Sequence, residues 1–531
     1  MRRQPLRVKK AGFDGVEMHM AHYALVNAFL SRIQNKRHDE YGCDTLENRA
    51  RFSIEILQRV RELCGPDFVV GVRMSTKEWG HELGTTVEEA CQFARMFEKA
   101  GCDYIQASNY GYGAFALAAI PEMVLYPEIP EEVKPYAERK STGYIIPEAA
   151  EIKKAVSIPV SGVGRLDADI GEKVIAEGKV DLVCLGRRLF ADPELPNKVK
   201  EGRKHSVKPC LGCLYCLHVM LFNQPVACRV NPFMGRELEM EIKPAEKKKK
   251  VVVVGAGPAG MEAARVAALR GHQVSLYDRA KELGGLLPMA SFIKGKTPDD
   301  LDELLDYYKK QFDDLGVKVE LGKEVTPQML EKVQADVVIL AVGGKPIPPQ
   351  IPCDEKKLVT TEELKAKSKD FVRLLGADWM NALTKIFLPV GNKVVVVGAD
   401  LAGLEAAEFL VKRGKQVTVV DEAEQPGEGM LIQWLIKLMP WLAAKGVQVL
   451  TGVKYEEITA DGMVISTKEG ERKVLSADTV MWVNKYTKND ALYKALQGKV
   501  SEVYLVGDGK EEKPAYIHGA ILDGAKVAIS I

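Results

Sequence analysis

Residues Lys250-Val-Val-Val-Val-Gly255-Ala-Gly257-Pro-Ala-Gly260 return later in the chain as Lys393-Val-Val-Val-Val-Gly398-Ala-Asp400-Leu-Ala-Gly403. Lys250–Ala280 and Lys393–Ala423 match without gaps at roughly eighteen of thirty-one positions, so one unit is used twice. Each copy reads as a buried strand, a glycine turn, a helix and a second strand closed by an acid, Asp278 or Asp421. The first glycine makes the tight turn, the second lets a pyrophosphate approach the backbone, and the third packs helix on strand. The pyrophosphate then meets the helix's N-terminal N–H groups and the positive end of its dipole. The acid about twenty residues on accepts a ribose hydroxyl. In the second copy Asp400 replaces the middle glycine and puts a negative charge near the pyrophosphate path. Dinucleotide binding and a fold kept for packing both stay open there. If that copy binds, Asp421 repels a 2′-phosphate and favours NADH over NADPH.

Upstream, short β-rich runs (Gly15–Met18, Phe68–Arg73, Tyr104–Ala107, Ile158–Gly162, Leu182–Leu185) alternate with helical patterns such as Leu46–Leu63 and Val87–Ala100. Such alternation predicts parallel βαβ units. The unusual residues, His19, Arg73, Ser161 to Arg165 and Gly186 to Arg188, fall at strand ends, where a TIM barrel carries its catalytic face. The expected fold class is α/β. A partial TIM barrel of about five of eight βα units precedes an Fe–S segment and two Rossmann-like nucleotide-binding domains, the second inserted in the first. The expected divisions are 1–205 for the barrel piece and 206–235 for a cysteine segment. Residues 248–390 with 485–531 form the first nucleotide domain, because Val503–Asp508 reads as a late returning strand, and 391–484 form the inserted one. Between cysteines and repeat, Arg236–Lys250 reads as a solvated linker.

Composition excludes several classes. Among 531 residues, 46% are apolar and 28% charged, as in globular chains. With 74 Lys+Arg against 73 Asp+Glu, the net charge of +1 offers no global field to a nucleic acid or an anionic membrane. No apolar run reaches the roughly 18–20 residues of a spanning helix, and the basic start lacks the apolar stretch of a secretory signal. Four of the ten cysteines are concentrated at Cys210, Cys213, Cys216 and Cys228. That pattern reads as metal ligation in a reducing cytoplasm.

Three constellations carry chemistry. Cysteines at i, i+3 and i+6 plus one distal wrap a cubane corner more naturally than the paired cysteines of a zinc ribbon; zinc and free thiols are the alternatives. In Glu17-Met-His19-Met-Ala-His22-Tyr23-Ala24, two imidazoles three apart at a strand end form a donor pair for a substrate oxygen. Zinc ligation and core burial are the alternatives there. Arg73, Arg165 and Arg187 lie at or beyond strand ends, two of them beside Gly164 and Gly186, a pattern suited to phosphate rather than to ordinary surface arginines.

Together these residues resemble the old-yellow-enzyme-like NADH:flavin oxidoreductases that carry an iron–sulfur segment and a pyridine-nucleotide-reductase module. This is the family of 2,4-dienoyl-CoA reductase, 2-enoate reductase and trimethylamine dehydrogenase. The resemblance spans nearly the whole chain. It is carried by Ala11-Gly-Phe-Asp-Gly-Val-Glu-Met-His19, Asn35-Lys-Arg-His-Asp-Glu-Tyr-Gly42, Leu46-Glu-Asn-Arg-Ala-Arg-Phe52, Cys210-Leu-Gly-Cys213 and Val506-Gly507-Asp508. It implies FMN in the barrel and a 4Fe–4S cluster on the four cysteines. It also implies FAD on Gly255, Gly257, Gly260, Asp278, Gly507 and Asp508, and NAD(H) on the inserted domain with Gly398, Gly403 and Asp421. Arg73 would face the flavin ring, while Gly164, Arg165, Gly186 and Arg187 would serve its edge and phosphate. His19 and His22 would hold a substrate carbonyl. The family pattern His-x-x-His-Gly-Tyr puts its proton-donating tyrosine where this chain has Ala24, which leaves neighbouring Tyr23 as the candidate donor. Dienoyl-CoA reductases of the family carry a histidine after the strand Tyr104–Ala107; here that stretch holds Tyr110 and Tyr112.

The implied activity is NADH-dependent reduction of the C=C bond of an α,β-unsaturated acid or enoyl thioester, with electrons passing from NADH through FAD and the cluster to FMN. One rival is a truncated or split FAD-dependent NADH dehydrogenase or electron-transfer subunit. Its missing barrel strands would come from a partner polypeptide; a homo-oligomer is the other expected assembly. The other rival is an amine dehydrogenase, which shares the cysteine spacing. The expected partner is a small enoate or enoyl-CoA, with no nucleic acid and no membrane, and the expected location is cytoplasmic.

Overall fold

The computed structural model describes residues 4–116, 119–131, 134, 143–295, 300–364, 383–385, 388–483, 485–510 and 514–531. Contacts divide the chain into two compact units, Met1–Gly186 and Arg187–Ile531.

The first unit is built on five parallel strands that neighbour one another in sequence order: β1 (Gly15–Met20), β2 (Val69–Trp79), β3 (Tyr104–Gly111), β4 (Val160–Gly162) and β5 (Leu182–Val183). Side chains alternate between faces along a strand, and the register sorts them cleanly. Val70, Val72, Met74, Ile105, Ala107 and Val160 lie on one face, buried against Leu57, Val60, Phe93, Phe97 and Ile152 of the covering helices. Each large side chain buried this way contributes about 1.5–3 kcal/mol. The other parity is polar: Glu17, Gly71 and Tyr104 share one layer, and His19, Arg73, Gln106 and Ser161 the next. Gly71 makes this packing possible, because a Cβ there would sit 2.1 Å from the Tyr104 ring. Helix starts are written locally. Thr86 and Glu89 form a capping box at Val87–Lys99, and Thr45 caps Leu46–Cys64, each cap contributing about 1 kcal/mol.

The second unit holds two parallel five-stranded sheets. The first orders β20 (Glu502–Leu505), β9 (Val337–Leu340), β6 (Lys250–Val254), β7 (Gln273–Asp278) and β8 (Lys318–Leu321). The second orders β11 (Leu358–Thr360), β18 (Thr479–Trp482), β12 (Lys393–Val397), β13 (Gln416–Asp421) and β14 (Gln448–Thr451). A three-stranded antiparallel sheet, β15 (Lys454–Thr459), β16 (Gly462–Ser466) and β17 (Arg472–Ser476), lies between β14 and β18 in sequence. A short ribbon pairs β10 (Lys345–Ile347) with β19 (Lys485–Thr487). Valines 251–254 and 394–397 are almost fully buried, as central parallel strands covered on both faces require. Among the described residues no helix is long and apolar enough to cross a membrane.

Candidate functional site

At the C-terminal end of β1 the chain reverses through two consecutive left-handed residues, His22 (φ 54°) and Tyr23 (φ 60°). Non-glycine residues rarely adopt this conformation, and each costs on the order of 1–2 kcal/mol. The turn folds the His22 ring back edge-on to His19, with centroids 5.0 Å apart. His22 Nε2 lies 2.7 Å from the Ser108 hydroxyl on β3. Burial, aided by the neighbouring His19 and the Arg73 charge, lowers the His22 pKa to about 4. His19 is lowered too, by burial and then Arg73, against the opposing pull of Glu17. Two neutral imidazoles, one oriented by a hydroxyl, can donate N–H bonds to a substrate oxygen without carrying charge.

Arg73 lies in the same layer as His19. Its Nη2 is 2.9 Å from Glu17 Oε1, its Nε bonds Gln106 Oε1, and Tyr104 donates to Glu17 at 3.1 Å. Glu17 and Gln106 thus hold the guanidinium from two sides. Tyr23 packs edge-on against Tyr110 (4.4 Å) and Tyr112 (5.4 Å). Tyr112 in turn approaches the buried Glu78 at 3.5 Å. Burial and the bond to Tyr112 push the Tyr23 phenol well above its ordinary pKa. Arg165, itself left-handed (φ 53°), pairs at 3.5 Å with the fully buried Glu122. Its neighbour Gly164 has φ 119°. Gly186 closes the first unit and Arg187 opens the second. A Cβ at Gly186 would meet nothing within 4 Å, and Arg187 is close enough to Cys216 to act on its thiol.

In the second unit Cys210, Cys213 and Cys228 join one core cluster. Cys210, Cys216 and Cys228 lie within electrostatic reach of one another. Burial pushes the Cys216 thiol up to about 11, against the charge of Arg187. Cys228 is raised by burial but accepts backbone N–H bonds from Val230 and Asn231. Such buried thiols ionise on binding a cation, and the backbone donors are suited to a thiolate.

The two nucleotide turns share the close approach of their last glycine to their first. A Cβ at Gly255 (φ 105°) would sit 2.1 Å from the Ala341 carbonyl, and one at Gly260 would sit 1.9 Å from the Gly255 carbonyl; Gly403 stands in the same relation to Gly398 (φ 116°). Asp278 accepts from Ala256 N–H and Ala280 N–H, both at 2.6 Å. Asp421 does the same with Ala399 and Ala423. Each acid therefore braces its glycine turn. A Cβ at Gly507 would sit 3.1 Å from that of Ala259, and the Gly507 N–H donates to Asp523 at 2.9 Å, while Asp508 accepts from Ala515 at 2.6 Å and burial raises its pKa. The loop from β20 thus closes over the start of the first dinucleotide helix.

Several functional neighbours were not legible in the sequence. Ser108 orients His22, Gln106 and Glu17 hold Arg73, and Trp434 Nε1 donates to the Cys213 carbonyl at 3.2 Å. A buried network also ties the cysteine segment to the first dinucleotide helix. Lys208 reaches Glu262 at 3.2 Å, Arg265 reaches it at 2.7 Å, and Tyr308 donates to it at 2.9 Å. Only the charged residues inside the otherwise apolar Pro258–Leu269 stretch hinted at it.

The fold and site define a flavin- and nicotinamide-linked oxidoreductase, an FMN-barrel domain followed by a pyridine-nucleotide reductase. Residues 5–206 match the NADH:flavin oxidoreductase / NADH oxidase family, and residues 249–524 match the pyridine nucleotide-disulphide oxidoreductases. An NADH oxidase from Thermoanaerobacter brockii is 35% identical over 99% of this chain and 75% of its own length. A cinnamate reductase from Clostridium sporogenes is 32% identical over 95% of this chain and 72% of its own. The solved 2-naphthoyl-CoA reductase superimposes with a TM-score of 0.82 and 32% identity, covering 99% of this chain and 75% of that one. The chain belongs to the NADH:flavin oxidoreductase / NADH oxidase family, extended by a pyridine nucleotide-disulphide oxidoreductase module. It is an enzyme with FMN-binding and FAD/NADH-binding domains, and relatives of this family carry 4Fe–4S clusters.

Proposed function

We propose that this enzyme reduces the C=C bond of an α,β-unsaturated carboxylic acid or thioester at the expense of NADH. The bound flavins and cluster supply the hydride and electron-transfer chemistry; the chain supplies orientation, polarisation and protons. The observation that carries the reading is the His19–His22 pair, two neutral imidazoles 5.0 Å apart at the end of β1. With Nε2 of His22 engaged on Ser108, its Nδ1 and the His19 ring meet the substrate carbonyl or carboxylate oxygen and stabilise the charge that builds there as the β-carbon is reduced. Tyr23, backed by Tyr112 and Glu78, delivers the proton to the α-carbon. Arg73, held by Glu17 and Gln106, would face the flavin ring, and Gly164, Arg165, Gly186 and Arg187 would serve its edge and phosphate. The four cysteines hold the cluster. Gly255, Gly257, Gly260, Asp278 and Asp508 hold FAD, and residues 391–484 take NADH. A cinnamate reductase and a naphthoyl-CoA reductase among the similar proteins support this substrate class.

The test is anaerobic absorbance spectroscopy. NADH bleaches the flavins, and a stoichiometric aryl acrylate restores them. A protein that stays bleached with the acrylate, but whose oxidised form is reduced by a secondary amine, acts on amines instead.

A further inference from the structure

We propose that Asp400 competes with the dinucleotide pyrophosphate for the N-terminus of the inserted domain's helix and thereby sets how tightly NADH binds. The inference rests on the reading of that domain as the NADH site. The two copies of the unit differ here in a way that the backbone does not explain. Gly257 and Asp400 cap their helices with nearly the same conformation (φ −75°, ψ −179° against φ −74°, ψ −174°). Gly257 has no side chain to offer its helix, and the next residue, Pro258, has no N–H. The Asp400 carboxylate instead folds onto the helix Leu401–Val411. Its Oδ1 accepts the Gly403 N–H at 2.9 Å, and it accepts the Ala402 N–H as well. The remaining N–H of that turn, on Leu401, donates to the Glu428 carbonyl at 2.8 Å.

The first three N–H groups of the second helix are therefore used inside the chain. They are the groups through which a helix N-terminus holds a phosphate. A pyrophosphate entering this turn must lift the carboxylate away or leave its own oxygens unpartnered. It also meets like charge: Asp421, 5% exposed, lies within electrostatic reach of Asp400, and Lys485 offsets the pair only in part. The Tyr516 phenol faces Asp400 and Glu428 from the C-terminal helix and adds no positive charge. Asp400 is thus a specificity-determining residue that weakens binding of the anionic portion of the nucleotide, while the ribose position at Asp421 is retained.

The test uses the anaerobically purified holoenzyme and oxidised NAD+, which does not reduce the flavin, with its Kd read by calorimetry. Asp400→Gly, which restores the first copy's cap, tightens NAD+ binding about tenfold or more, ~1.4 kcal/mol per factor of ten. Asp400→Asn keeps the cap, since Asn and Asp cap alike, and removes the charge; it falls between wild type and Asp400→Gly, and it covers the case in which the glycine variant folds poorly. A Kd unchanged in both variants, or weaker than wild type in Asp400→Asn, overturns the inference and leaves the NADH reading standing. Absence of NAD+ binding in all three proteins, together with no bleaching by NADH, removes the NADH reading and the inference with it.

Discussion

His22 Nε2 and the Ser108 hydroxyl, 86 positions apart in sequence, meet at 2.7 Å. The bond decides which imidazole nitrogen faces the polar layer of the sheet and holds a left-handed turn in place. A net hydrogen bond of this kind contributes about 1 kcal/mol. Ser108→Ala should therefore lower kcat about five- to tenfold while FMN content stays at the wild-type level. Steady-state kinetics beside a flavin assay checks this; an unchanged kcat would separate Ser108 from the site.

The imidazole pair fixes the pH response. His22 titrates at about 4 and His19 below its usual range, so both rings are neutral at pH 7. The pH profile of kcat/KM should run through 6.5 without a histidine inflection and fall only at lower pH, where the two rings protonate. The stability contribution has the same sign. The folded pKa of His22 lies below its unfolded value, so the stabilisation is complete above about 6.5 and is lost as pH falls from there through 4. His22→Ala should reduce kcat on the order of a hundredfold, the loss expected for one donor to a developing oxyanion. A profile that breaks at 6.5 would show that a protonated histidine is needed instead.

What the sequence revealed and what it hid follow from the range of the interactions. The α/β class, the doubled dinucleotide unit and the strand-end histidines were legible, because valine runs, glycine turns and period-two alternation are local signals. β1 and the helix Leu46–Cys64 lie where their patterns placed them, each ending one or two residues later. The pairing of Arg73 with Glu17 needs the register of β1 on β2, and Ser108 is a generic residue until β3 sets it beside His22. Asp400 was visible as a missing glycine. That its carboxylate consumes the helix N–H groups follows only from its side-chain hydrogen bonds in the folded chain.

Glu262 is fully buried between Lys208 and Arg265. Burial works against its charge, but the two cations outweigh it and hold the carboxyl at about 2. Glu262→Gln leaves two buried cations without their counter-charge and should destabilise the second unit by about 3–5 kcal/mol. A calorimetric scan reads this as a lower unfolding temperature; a variant as stable as wild type would mean that water already screens the network.

If the four cysteines hold a cluster, Cys216→Ser should drop iron from about four atoms per chain to near zero, with FAD content unchanged because Gly255 to Gly260 and Asp278 are untouched. Iron and flavin assays on anaerobically purified protein decide the point. Zinc in the wild-type protein, in place of iron, would assign the cysteines a structural role.

The most direct measurement is an anaerobic stoichiometry. With NADH and an aryl acrylate supplied together, the account predicts one saturated acid formed per NADH consumed, and loss of product formation in His22→Ala while NADH still bleaches the flavin. Oxidation of NADH with the acrylate recovered intact would contradict it.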